Sequence, residues 1–147
     1  MNCRIETLEQ SRVLGILRES DRQFEPPLSS VVELEPYSAK LAQKAHFATA
    51  YFDDNLAGVI AFYLNDTLNQ IYIPYVFVYE QYRNRSVASG LIDFIIRSNR
   101  GYTSVALEVV KTNDAALRLY RKLNFQVVED REHTFLMRLA VLLKSRT

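Results

Sequence analysis

Two tight polar turns, Asp53-Asp54-Asn55 and Asn65-Asp66-Thr67, cut the middle of this chain into three short apolar runs: His46 to Phe52, Leu56 to Leu64 and Ile71 to Val78. Strand-length runs joined by so little chain fold back beside one another, so they predict an antiparallel meander. Beyond Val78 the connections lengthen. Val87, Leu91, Phe94 and Ile95 recur on one helical face, and Ala116, Leu119, Tyr120 and Leu123 form a second stripe. Between them Thr103 to Val110 reads as a strand, and Phe125 to Val128 and Thr134 to Val141 read as two closing strands. The predicted order is α-α-β-β-β-α-β-α-β-β. That order excludes a doubly wound parallel sheet and implies an α+β fold, with a mixed, mostly antiparallel central sheet of about six to seven strands flanked by four helices.

The first 45 residues are read from helix signals. Thr7-Leu8-Glu9-Gln10 has the spacing of a capping box, and Val13, Leu14 and Leu17 then share a face, predicting a helix that ends near Asp21. Gln23 to Ser30, with Pro26-Pro27, reads as a loop, and a second helix is predicted from Pro36 at its first position to Ala45. No repeat or linker interrupts the 147 residues, and 48% apolar content suffices for one core, so residues 1–147 are expected to form one domain.

Charge and cysteine content exclude several function classes. The 18 basic and 17 acidic residues leave a net charge of +1, too little to draw nucleic acid or a membrane surface. The single cysteine, Cys3, forms no internal disulfide and supplies too few thiols for a zinc site. No apolar stretch reaches the roughly 18 residues of a spanning helix, and Met1 to Gln10 is polar, unlike a signal peptide. The expectation is a cytoplasmic monomer or homodimer without a metal, nucleic-acid or membrane partner.

Chemistry enters at Tyr82-Arg83-Asn84-Arg85-Ser86-Val87-Ala88-Ser89-Gly90-Leu91. A strand leading through a short turn into a helix aims several free main-chain N–H groups at one point, and the helix dipole adds to their pull. Arg83 and Arg85 sit on that turn, so a phosphate-bearing cofactor is the expected guest. Upstream, Pro74 has no N–H to give to a ladder. Either the strand Ile71 to Val78 is central and bulges or parts from a neighbour there, or it is an edge. Both readings stand at this level.

The loop Arg83-Asn84-Arg85-Ser86-Val87-Ala88 and the segment from Leu107-Glu108-Val109 through Leu119-Tyr120 to Asn124-Phe125 together resemble the GNAT superfamily of N-acetyltransferases. The family's loop reads Q/R-x-x-G-x-G/A, with Ser86 here in place of its first glycine. Its later segment reads L-E-V-x-x-x-N-x-x-A-x-x-L-Y-x-x-x-G-F, with Asn124 here in place of its glycine. The likeness covers roughly residues 46–130, the first 45 matching only in helical texture. Serine is small and its hydroxyl can donate to a phosphate, while asparagine is the usual substitute for glycine in a left-handed helix cap.

The resemblance implies acetyl-CoA as co-substrate. It places the main chain of Phe77 and Val78 against the pantetheine arm, and the loop Arg83, Asn84, Arg85, Ser86, Val87, Ala88 and Ser89 around the diphosphate. Arg85 is also within its reach for the 3′-phosphate. Asn113 matches a position beside the cofactor arm, and it also has the makings of an N-cap before Asp114. Tyr120 matches the family's tyrosine near the thioester sulfur and is the implied acid. Glu108, twelve residues earlier, matches the glutamate that draws a proton through water in enzymes acetylating protein N-termini, with a solvent-facing strand position as its alternative. The implied reaction is acetyl transfer to a primary amine of a small metabolite, an amino sugar or similar, or of a peptide N-terminus. The alternative is a non-catalytic acyl-CoA-binding module. His46 and His133 carry no motif.

Overall fold

The computed structural model describes residues 1–141. Within them the elements are β1 (Asn2–Glu6), α1 (Gln10–Ser20), α2 (Leu34–Lys44), β2 (His46–Phe52), β3 (Asn55–Asn65), β4 (Gln70–Val78), α3 (Val87–Ser98), β5 (Ser104–Val110), α4 (Asp114–Lys122), β6 (Gln126–Asp130) and β7 (Thr134–Ala140). They form one seven-stranded sheet in the order β1-β2-β3-β4-β5-β7-β6. Only β4 and β5 pair in parallel; every other neighbouring pair is antiparallel. The α+β architecture and four helices agree with the sequence reading.

A core lies on each face. Leu91, Ile92 and Ile95 of α3 and Leu117 and Tyr120 of α4 pack on Ile60, Ile71, Leu107 and Met137. On the other face Val13, Ile16 and Leu17 of α1 and Leu41 of α2 cover Phe47, Val59, Tyr75 and Phe77. Gly58 of β3 lets α3 approach, since a Cβ there would sit 2.8 Å from Val87 Cγ1 and 3.3 Å from the Phe77 carbonyl oxygen.

Several local expectations are corrected. Asn2–Glu6 is a strand, because Ile5↔Ala48 and its neighbours pair with β2 at a solvent-facing edge where polar residues are tolerated. Glu9, not Thr7, caps α1, and no side chain closes that cap. Pro36 is third in α2 rather than first. The first helical bond there is Tyr37 N–H to Glu33 C=O at 3.1 Å, so proline still removes no helical donor. Among the described residues no helix is long and apolar enough to cross a membrane.

Pro74 belongs to a central strand. The pairing runs Ala61↔Tyr75 and then Tyr63↔Tyr72, so Ile73 and Pro74 together face Phe62 in a bulge. The extra residue flips the strand: Ile71 and Ile73 point to the α3–α4 core, whereas Tyr75 and Phe77 point to the α1–α2 core. Val76 and Val78 are thereby turned toward α3 and α4.

Candidate active site

The bulge coincides with a parting of the sheet. Parallel pairing of β4 with β5 runs from Gln70↔Ser104 to Ile73↔Leu107 and stops. Past that point β5 continues against β7 and β4 against β3, so they diverge. Among the described residues, one edge of the β4 main chain is then without a strand partner. A groove of about 700 Å³ opens here between Val76 and Val78 of β4 and Ala115, Ala116, Leu119 and Leu123 of the α4 segment.

At the mouth of the groove lie Arg83, Asn84, Ser86, Val87, Ala88 and Ser89. Asn84 (φ 63°) and Ser86 (φ 59°) are both left-handed, a shape that a side chain makes costly and that explains glycine in the family pattern. The first bond of α3 runs from Gly90 N–H to Ser86 C=O at 3.0 Å. The N–H groups of Val87, Ala88 and Ser89 therefore have no helical acceptor and face the groove at the positive end of the dipole. Ser89 Oγ is engaged, donating to Ser86 C=O at 3.2 Å. Arg83 Nε donates to Val78 C=O at 3.3 Å, tying the loop to the strand. Lys122 also lines the groove. Neither it nor Arg83 or Arg85 joins an ion pair among the described residues. Arg85 stands outside the lining, 5.8 Å from the rings of Phe52 and Tyr82, which stack 5.2 Å apart.

The remaining positions divide between groove, core and opposite face. Val78 lines the groove, whereas the Phe77 side chain is buried below it against Tyr79. Tyr120 is 7% exposed and packs edge-on to Phe125 at 5.5 Å. Its phenol has no hydrogen-bond partner among the described residues, and burial pushes its pKa up to about 12, so it stays protonated at neutral pH. Asn113 caps α4, its Oδ1 accepting from Ala116 N–H at 3.1 Å. Asn124 has φ 75°, the left-handed cap read from its place in the sequence. Glu108 is on the α1–α2 face of β5 and partly exposed. Arg131 Nη1 meets its carboxylate at 2.8 Å and Thr134 Oγ1 donates to it at 2.7 Å. The Arg131 contact, helped by Thr134, holds its pKa below the usual carboxylate value.

The sequence model of the acetyltransferase (GNAT) family matches residues 13–125. The chain belongs to the GNAT family. It is an acetyl-CoA-dependent acyltransferase. No curated protein sequence matches it, but solved structures share its fold. The PaiA N-acetyltransferase of Thermoplasma acidophilum, in complex with coenzyme A, is 16% identical, with a TM-score of 0.72 over 95% of this chain and 99% of that one. The ribosomal-protein-S18-alanine N-acetyltransferase of Escherichia coli is 18% identical, with a TM-score of 0.73 over 98% and 97%. Arabidopsis thaliana NAA60, with a bisubstrate analogue, is 18% identical, with a TM-score of 0.70 over 95% and 98%. Both the family match and these coverages extend into the first 45 residues, beyond the segment 46–130 that carries the sequence motifs.

This GNAT chain has a second cleft, of about 770 Å³, on the face that bears Glu108. Phe24, Pro26, Leu28 and Val31 of the α1–α2 connection form one wall, and Val110, Asn113 and Thr134 lie in the other. The connection is fastened by Asp21, whose carboxylate accepts from Ser29 N–H at 2.7 Å and Ser29 Oγ at 2.6 Å. Phe24 leans on Tyr75 at 5.7 Å, and Tyr75 Oη is 2.6 Å from Ser20 Oγ. The family resemblance puts acceptor entry over the first two helices and the loop Asp21 to Glu35, which supplies one wall of this cleft; sequence reading missed the opposite wall, the groove position of Lys122, and the Arg131 and Thr134 partners of Glu108. Only Lys122 had a usable signal, a cation at the end of the α4 stripe. Among the described residues no group of three His, Cys, Asp or Glu side chains is arranged to hold a metal ion.

Proposed function

We propose that this GNAT chain moves the acetyl group of acetyl-CoA to the primary amine of a small metabolite, such as an amino sugar, or of a peptide N-terminus. The observation that carries the reading is the groove in which an unpaired strand edge leads to free helix N–H donors. Its features fit acetyl-CoA part by part. The left-handed turn at Asn84 and Ser86, the donors of Val87 to Ser89, and Arg83 and Lys122, which join no ion pair among the described residues, suit a diphosphate. Arg85, beside the rings of Phe52 and Tyr82 and in no ion pair among the described residues, is available for a further phosphate. The β4 main chain at Val78 offers amide groups on its open edge for a pantetheine arm, whereas the main chain of Phe77, which the resemblance also names, is turned to Val59 of β3. Asn113, besides capping α4, is assigned a place beside that arm by the family resemblance.

Acetyl-CoA supplies an activated acyl group, so the protein's task is placement and proton traffic. Tyr120, a phenol protonated at neutral pH, serves as proton donor to the departing thiolate sulfur. Glu108, ionised at neutral pH, takes the amine proton through water. An alkylammonium of pKa about 10 has no lone pair until that proton leaves. Thr134 and Arg131 keep the carboxylate oriented meanwhile.

Thermal denaturation and thiol release test the proposal together. Acetyl-CoA is expected to raise the melting temperature well above the effect of ATP or NAD, and free thiol to accumulate only when an amine is present. Acetyl-CoA without effect on melting sinks the reading.

A further inference from the structure

The second cleft says what kind of amine the site takes. Its inner end reaches Glu108 by a short path: Thr134 lines the cleft and donates to Glu108 at 2.7 Å, and Val110 lies two residues along on the same face of β5. Its outer wall, Phe24, Pro26, Leu28 and Val31, presents rings and methyl groups, with Glu25 as its one charged member. Val31 is 66% exposed, a large apolar side chain with nothing over it. This wall is held in place rather than loose, through the Asp21–Ser29 bonds and the Phe24–Tyr75 contact.

The charges point the same way. Glu25 and Glu132 line it, Glu132 with His133 Nε2 at 3.5 Å, and Glu25 joins no ion pair among the described residues. The one lining lysine, Lys111, is engaged with Asp130. At the inner end Glu108 and Glu129 share the single cation Arg131, which leaves that trio net negative. Such a cleft draws in an ammonium and receives an apolar body behind it. A sugar would meet the wall with hydroxyls that find no partner there, a costly burial.

Resting on the acetyl-transfer reading above, we infer that the acceptor is a primary amine carried on an aromatic or branched aliphatic group, seated against Phe24, Leu28 and Val31 with its nitrogen toward Glu108. Two sources share that chemistry: a free arylalkylamine and a peptide whose first residue is apolar.

Thiol release from acetyl-CoA by the full chain, measured with phenethylamine, peptides beginning with Leu or Asp, and glucosamine, tests this. Filling an apolar pocket changes kcat/KM by roughly 10-fold per methylene or more. Phenethylamine or the Leu peptide should therefore exceed both the Asp peptide and glucosamine by at least that factor, and whichever of the two leads names the source. Val31→Asp, at an exposed position that does not threaten folding, should raise KM for the apolar amine several-fold while leaving KM for acetyl-CoA unchanged. Glucosamine or the Asp peptide served as well as the apolar amines, no turnover of any apolar amine by protein that binds acetyl-CoA, or an unaltered acceptor KM in Val31→Asp overturns the inference. Failure of acetyl-CoA to bind overturns instead the function on which it rests.

Discussion

The two clefts flanking the split between β4 and β5 are made of different materials. The groove on the α3–α4 side is largely main chain: N–H groups at a helix start, a strand edge left open by a bulge, and two left-handed residues that shape the turn. The cleft on the α1–α2 side is largely side chain, an apolar wall opposite a carboxylate. A main-chain site is specified by where the chain turns and breaks, and many sequences satisfy it. A side-chain site is specified residue by residue. Under the function proposed above, one co-substrate and a changeable acceptor call for that division.

The largest effect that tests the division is expected from Tyr120→Phe, which removes a proton donor and no packing ring. Turnover should fall by about 100-fold or more, with thermal stabilisation by acetyl-CoA unchanged. Equal activity in the variant would make Tyr120 a core residue and nothing else. Next, Arg83→Ala combined with Lys122→Ala should raise KM for acetyl-CoA about 10-fold through lost charge-assisted contacts and leave the acceptor KM alone. A change in acceptor KM instead would merge the two clefts into one functional unit.

Smaller and pH-dependent is Glu108→Gln. Turnover should drop by roughly 10-fold at pH 6 and less at pH 9, where more of the amine is already neutral; pH profiles that overlay remove Glu108 from the proton path. Arg131→Ala should move the Glu108 titration up toward the ordinary carboxylate range, read by carbon NMR. In the parent that carboxylate is held low, so its contribution to stability is present above the unfolded-state pKa and lost as pH falls through the folded one. The smallest effect is expected from Ser86→Gly. Relief of a left-handed serine is set against the greater chain entropy of glycine, a net gain of less than about 1 kcal/mol. Its melting temperature should rise by a few degrees at most, with KM for acetyl-CoA equal or lower.

Legibility in the sequence followed the same line. The meander, both stripes and the loop after β4 were readable because turn residues and periodicity encode where a chain bends and what it buries. Pro74 announced a disturbance in β4, although only strand order decided that it was a central bulge. The edge strand Asn2–Glu6 escaped because a strand with exposed side chains shows no alternation, and its stability comes from pairing with Phe47 to Tyr51, far off in sequence. The apolar makeup of the second cleft's wall escaped for a related reason, although the resemblance marked its loop, Asp21 to Glu35, as the way in for an acceptor. Phe24, Leu28 and Val31 have the i, i+4, i+7 spacing of a helical stripe, but Pro26-Pro27 forbids the helix that would read it out, and what unites them is a loop pinned by Asp21 and Ser29. Arg131 beside Glu108 is a meeting of β5 with the β6–β7 connection that no spacing announces.

The short parallel pairing from Gln70↔Ser104 to Ile73↔Leu107 has a mechanical consequence. The protein is two antiparallel leaves sewn together by a seam of four residue pairs, with helices gripping it from both sides. An extended arm laid in the wedge beyond the seam would act as a further stitch. Amide exchange along the open margins of β4 and β5 would then slow on occupancy, while the outer strands β1 and β6 exchange as before.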